Sequence, residues 1–172
     1  MNKVVLIGYM AVGKTTIGQL LAQKMNWKWL DLDKVVEKKV NLSVNEIFKL
    51  KGEIYFRKLE HEVFKEIIQN NEKVIISTGG GTPCYANNHL LVNGENIVSI
   101  YLCASIDVIF ERLKNAKNMR PLVANQSEVD LKEFIAKNLF ERSYFYNQAT
   151  YKITIDSKST ATITNEIFEV LH

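Results

Sequence analysis

Within GYMAVGKTTIG, Gly8 to Gly18, two glycines are followed by a lysine and a hydroxyl residue in the spacing Gly8-x4-Gly13-Lys14-Thr15. That set serves phosphate chemistry. The glycines let successive backbone N–H groups face phosphate oxygens, at a helix N-terminus that favours negative charge. Lys14 would reach the β- and γ-phosphates of a nucleotide, and the Thr15 hydroxyl would complete a magnesium shell. Ala11, Val12, Gly13, Lys14, Thr15 and Thr16 are the expected phosphate cradle. A glycine-rich turn kept only for packing does not account for a lysine followed by a hydroxyl. The motif leaves the phosphoryl acceptor open, because GTPases, ATPases and small-molecule kinases share it.

Three further clusters bear on the acceptor. In WLDLD, Asp31 and Asp33 lie two apart, so on extended backbone they would share a side while Leu32 turns away. Such carboxylates could hold a magnesium shell and accept a hydrogen bond from a hydroxyl; alternatively, Asp33 starts the next helix as its cap. In FRKLE, Arg57 and Glu60 form either a surface ion pair, worth roughly 0.2–0.5 kcal/mol, or a pair in which Glu60 aims Arg57 at an anionic substrate. In STGGGTP, the consecutive Gly79, Gly80 and Gly81 permit close backbone approach to a ligand, where a tight turn would need only one. Arginine is scarce: of the 22 basic residues, only Arg57, Arg112, Arg120 and Arg142 are arginine. A chain that carries its surface charge on lysine could keep the forked guanidinium for phosphate or carboxylate. Genome composition would give the same bias.

These residues need elements to position them. Short apolar runs alternate with amphipathic stretches, the pattern of an α/β domain with a parallel sheet. Strands are expected at Val4–Ile7, Trp29–Leu32, Val74–Ser77, Ile97–Leu102 and Tyr151–Ile155. Helices are expected at Lys14–Met25, Lys34–Lys39, Val44–Lys51, Glu53–Asn70, Ile106–Leu113, Leu131–Tyr146 and Ala161–Leu171. Ser43 and Glu46 make a capping box. Phe56, Leu59, Val63 and Ile67 recur at helical spacing and should face the core, with Arg57 and Glu60 off that stripe. The ligand crevice of an open parallel sheet lies at the carboxyl ends of its strands, where the loop, the aspartates and the triple glycine all fall. Lys114–Glu128, polar and without periodicity, reads as a lid or as a disordered insertion.

The bulk properties bound the class. A chain of 172 residues with 47% hydrophobic and 24% charged residues suits one domain, without internal repeats. A net charge of +3 is too mild to argue for nucleic acid and would equally suit a small anionic ligand. No apolar run approaches the ~18 residues of a membrane span, and the N-terminus runs directly into a strand rather than a signal peptide. Cys84 and Cys103 offer neither metal spacing nor a disulfide framework, and reduced thiols in the cytoplasm are expected. His61, His89 and His172 are too scattered for a metal triad.

Together the motifs resemble those of the shikimate kinases. The resemblance runs over essentially the whole chain: GYMAVGKTT, DLD at Asp31–Asp33, FRKLE at Phe56–Glu60, STGGGTP at Ser77–Pro83, RPL at Arg120–Leu122 and ERSYFYNQA at Glu141–Ala149. It implies a nucleoside-monophosphate-kinase-like fold, a five-stranded parallel sheet with helices on both faces, in one domain. A shikimate-binding segment would span roughly residues 33–60 and a mobile lid 114–128. It implies phosphorylation of shikimate at its 3-hydroxyl by ATP with Mg2+, by a monomer that uses no nucleic acid or membrane partner. By matching position, Asp33 would bond the shikimate hydroxyls, Arg57 and Arg142 would clamp its carboxylate, and Gly79, Gly80 and Gly81 would line its site. Thr15 and Asp31 would hold the metal, and Ser77 would help through its hydroxyl or a water. Arg120 would meet the transferring phosphate from the lid, Arg112 would contact the adenine, and Glu60 would orient Arg57. Lys14, Asp33 and Arg120 are thus the expected catalytic residues. A gluconate-kinase-like enzyme is the alternative, and a nucleotide-binding protein without catalysis is a third. One residue departs from the family: Ala11 stands where glycine is usual. The expectation is a negative φ there, with the methyl tolerated at little cost.

Overall fold

The computed structural model describes residues 1–115 and 127–172. Five strands, β1 (Lys3–Ile7), β2 (Lys28–Asp31), β3 (Val74–Ser77), β4 (Ile97–Cys103) and β5 (Tyr151–Thr154), form one parallel sheet in the order β2-β3-β1-β4-β5. The helices are α1 (Lys14–Met25), α2 (Leu32–Val40), α3 (Val44–Gln69), α4 (Asn88–Leu91), α5 (Ile106–Lys114), α6 (Glu128–Tyr146) and α7 (Thr160–Val170). A short 3-10 turn covers Thr82–Cys84.

Both faces of the sheet are covered, as side-chain alternation dictates. Val4 and Leu6 of β1 join Ile75, Ile100 and Leu102 in a core closed by α1, α5, α6 and α7. Val5 and Ile7 turn the other way, joining Ile76 in a second core closed by α2 and α3. A strand buried on both faces reads as a continuous apolar run, and all five residues of β1 are buried. This central strand carries the phosphate loop at its carboxyl end. No helix among the described residues is long and apolar enough to cross a membrane.

Element boundaries depart from expectation at several points. β2 ends at Asp31, one residue early, because the Asp31 side chain accepts the Lys34 N–H and caps α2. Asp31, not Asp33, is therefore the cap; Asp33 sits in the first helical turn, so the extended-strand basis for their shared side does not hold. α6 begins three residues before the expected Leu131, where Ser127 accepts the Asp130 N–H. The expected break between Val44–Lys51 and Glu53–Asn70 is present as a kink within α3, where Gly52 has φ 83° and ψ 170°.

Candidate active site

The phosphate loop joins β1 to α1 through three left-handed or near-left-handed turns: Gly8 at φ 140°, Ala11 at φ 63° and Gly13 at φ 96°. Ala11 corrects the expectation of a negative φ. The turn needs a residue in the left-handed region at this point, where a Cβ costs roughly 1–2 kcal/mol. The strained peptide is anchored, since Arg112 Nη1 donates to the Ala11 carbonyl at 3.1 Å. Lys14 is buried, and its ammonium donates to the carbonyls of Gly8 and Tyr9 at 2.8 and 2.7 Å. Arg112, the expected adenine partner, thus lies against the loop itself. Arg120 lies outside the described residues.

Thr15 and Asp31 meet at the start of α1, with the Thr15 hydroxyl donating to Asp31 Oδ2 at 3.2 Å. Both are hard oxygen donors, and no cluster of three or more His, Cys, Asp or Glu among the described residues could hold a metal alone. That donor set fits magnesium, which binds through one or two protein oxygens and completes its shell with phosphates and water. Ser77, expected to help at the metal, lies beside them in the fold. It is buried, donates to the Lys14 carbonyl at 2.8 Å and accepts from Trp29 Nε1 at 3.1 Å. Its only hydrogen is occupied, and it braces the first turn of α1.

Beside the loop lies a cavity of about 330 Å³, and every described residue expected to bind the acceptor lines it: Asp33, Arg57, Gly79, Gly80, Gly81 and Arg142. Residues separated by more than a hundred positions meet there because the first turn of α2, the middle of α3, the loop after β3 and the last turns of α6 all border the cavity. The triple glycine has a steric cause. A Cβ on Gly81 would fall 2.6 Å from Arg57 Nη2; on Gly79, 3.1 Å from Asp33 Oδ1; on Gly80, 3.3 Å from the Met10 N. Three successive residues thus press against three parts of the site, and none of them needs a positive φ.

Arg57 is held on several sides. Its Nη1 donates to Glu60 at 2.9 Å, its Nε reaches Glu53 at 3.4 Å, and its guanidinium lies 4.2 Å from the Tyr85 ring centroid. Glu60 is fully buried, so the pair is not the surface ion pair that sequence spacing allows. Arg142 lies 5.3 Å from the Tyr9 ring centroid. The Tyr146 hydroxyl donates to the Gly80 carbonyl and fixes the glycine turn. Burial pushes the Tyr146 phenol well above its usual range, against the pull of Arg142. Burial likewise pushes the Cys84 thiol up to about 11, opposed by Arg142 and Arg57.

Several cavity residues were not foreseen. Phe134 and Asn138 line it from α6, two turns and one turn before Arg142, and Tyr85 and Met10 add to the wall. The spacing of 134, 138 and 142 is a helical-face signal that could have found the first two once Arg142 was suspected.

The family model for shikimate kinase matches residues 10–172. A shikimate kinase of Flavobacterium johnsoniae is 53% identical over 99% of this chain and 99% of its own length. Among solved structures, shikimate kinase from Bacteroides thetaiotaomicron superposes with a TM-score of 0.91 at 35% identity, covering 98% of this chain and 97% of that one. Shikimate kinase from Acinetobacter baumannii, solved in complex with shikimate, superposes with a TM-score of 0.88 at 26% identity, covering 99% of this chain and 93% of that one. With the family model running from residue 10 to the last residue and a relative more than half identical along the whole length, this chain belongs to the shikimate kinase family.

Proposed function

We propose that this chain transfers the γ-phosphoryl group of ATP to the 3-hydroxyl of shikimate, giving shikimate 3-phosphate and ADP, with the residues of the loop and cavity dividing the work as follows. Residues 11–16 cradle the phosphates through their backbone N–H groups, and Lys14 turns from the loop carbonyls to the β- and γ-phosphates. Arg112 contacts the adenine. Thr15 and Asp31 would hold a magnesium ion, which when bound neutralises phosphate charge. Arg57 and Arg142 clamp the acceptor's carboxylate, and the Gly79–Gly81 backbone lines its ring. Asp33 orients the attacking hydroxyl and accepts its proton, directly or late in the transfer. Arg120, assigned from sequence alone, meets the transferring phosphate. Phosphoryl transfer asks little covalent help of the protein, so alignment and charge carry the rate.

The observation that carries the acceptor assignment is the placement of two arginines, Arg57 and Arg142, with Asp33 on one compact cavity. Two guanidinium groups on one small cavity suit a carboxylate, and an aspartate on the same cavity suits a polyol. We place it in the cytoplasm, as a monomer acting on small molecules. An ADP-release assay over a panel of hydroxy acids tests the reading. Turnover should depend on shikimate and be absent with linear sugar acids; equal turnover across the panel would contradict it.

A further inference from the structure

Behind Arg57, a line of buried polar side chains runs away from the cavity. Glu60 accepts from Arg57 Nη1 through Oε2 at 2.9 Å and from the Thr82 hydroxyl through Oε1 at 2.6 Å. Thr82 in turn offers its carbonyl to Asn88 Nδ2 at 2.9 Å, and Asn88 Oδ1 lies 2.7 Å from His61 Nδ1. Glu60, Thr82 and Asn88 are all fully buried.

Each link constrains the next. A carbonyl can be met only by the NH2 end of Asn88, so Oδ1 faces His61, and Nδ1 of that ring carries the hydrogen. The Thr82 hydroxyl has one hydrogen, and Glu60 takes it. A buried carboxylate is costly unless both oxygens are bonded, so Thr82 and Arg57 between them satisfy Glu60 and fix its plane. Gly79 makes room for this, since a Cβ there would lie 3.1 Å from Thr82 Oγ1 and 3.2 Å from Glu60 Oε1. On its other side, Arg57 meets the half-exposed Glu53 at 3.4 Å and the rings of Tyr85 and Phe56. Exposed ion pairs of that kind contribute little, so the buried arm sets the guanidinium's direction.

We propose that Thr82, backed by Asn88, is a positioning residue for acceptor recognition. It locks Glu60 so that Arg57 is already aimed into the cavity before the carboxylate arrives. Preorganisation of this kind is realised on binding the acceptor, so its loss falls on that substrate before the nucleotide. The inference rests on the reading of the cavity as the shikimate site.

Thr82→Val, nearly the same shape without the hydroxyl, tests it in steady-state assays with each substrate varied. The expected result is a KM for shikimate raised about tenfold, with kcat and the KM for ATP within about twofold of the parent. Thr82→Ser should restore the parent KM. In a cycle with Glu60→Gln, the two changes should be strongly non-additive. Thr82→Ala serves the same purpose if the valine variant does not fold. An unchanged KM for shikimate beside a lowered melting temperature, or equal rises in both KM values, would reduce Thr82 to a structural anchor and overturn the proposal. A parent protein inactive towards shikimate would instead overturn the cavity assignment beneath it.

Discussion

At the residue scale, two positions show how the loop and the cavity are built. Ala11 occupies the left-handed region at φ 63°, held by Arg112. Ala11→Gly should release backbone strain larger than the entropy that glycine adds to the unfolded chain, raising stability by about 0.5–1 kcal/mol. Urea unfolding checks the sign, and a loss of stability would mean that the Cβ is not strained. Gly81 faces Arg57 so closely that a methyl would sit 2.6 Å from Nη2. Gly81→Ala should therefore displace the guanidinium and raise the KM for shikimate roughly tenfold to a hundredfold, with the KM for ATP nearly constant. The roles of these residues were unequally legible in the sequence. Residue types announced the phosphate loop, because glycine, lysine and threonine at fixed offsets have few other uses. The φ of Ala11 was misjudged, because one substitution in a motif does not reveal which turn the motif makes. Glu60 was read as lying off the core stripe, yet it is buried beneath Arg57 by the glycine turn, a contact between segments that helical spacing cannot express.

At the element scale, the strands and long helices followed from apolar periodicity and their caps. The Ser43–Glu46 capping box is closed in both directions, and Ser105, Ser127 and Ser159 each cap a helix by accepting the N–H three residues on. The Thr82–Cys84 turn and α4 were not foreseen, being too short to carry a period. The start of α2 was misplaced because the Asp31 side chain ends the strand through a hydrogen bond that alternation does not encode. α3 is the element on which the acceptor site turns. Its kink at Gly52 has φ 83° and ψ 170°, with nothing within 4 Å of where a Cβ would stand, so the glycine is required by backbone conformation and not by crowding. Gly52→Ala should cost about 1–3 kcal/mol of stability from that conformation alone. A calorimetric melting temperature equal to the parent's would show that the kink tolerates a side chain.

For the whole molecule, one central strand buried on both faces carries the phosphate loop, and the elements flanking it bring the acceptor residues to the same edge. Its interior also sets a limit on alkaline stability. Burial raises the Cys84 thiol to about 11 from its ordinary 9.0, and raises the Tyr101 and Tyr146 phenols as well. The folded protein therefore keeps protons that the unfolded chain releases as pH rises from about 9. Stability should hold up to about pH 9 and then fall, by about 1 kcal/mol at pH 10.5 for the half-buried Cys84 after allowing for solvent screening. Urea midpoints across that range check it, and a flat profile would contradict it. In the function proposed above, Arg57 and its cavity select a carboxylated polyol for a phosphoryl group held by the loop. The most direct test is ADP release from ATP and magnesium with shikimate as sole acceptor, for the parent and Arg57→Ala side by side. Shikimate-dependent turnover is expected in the parent, with its near-complete loss in the variant and ATP binding retained. Turnover that ignores shikimate, or an Arg57→Ala variant as active as the parent, would contradict it.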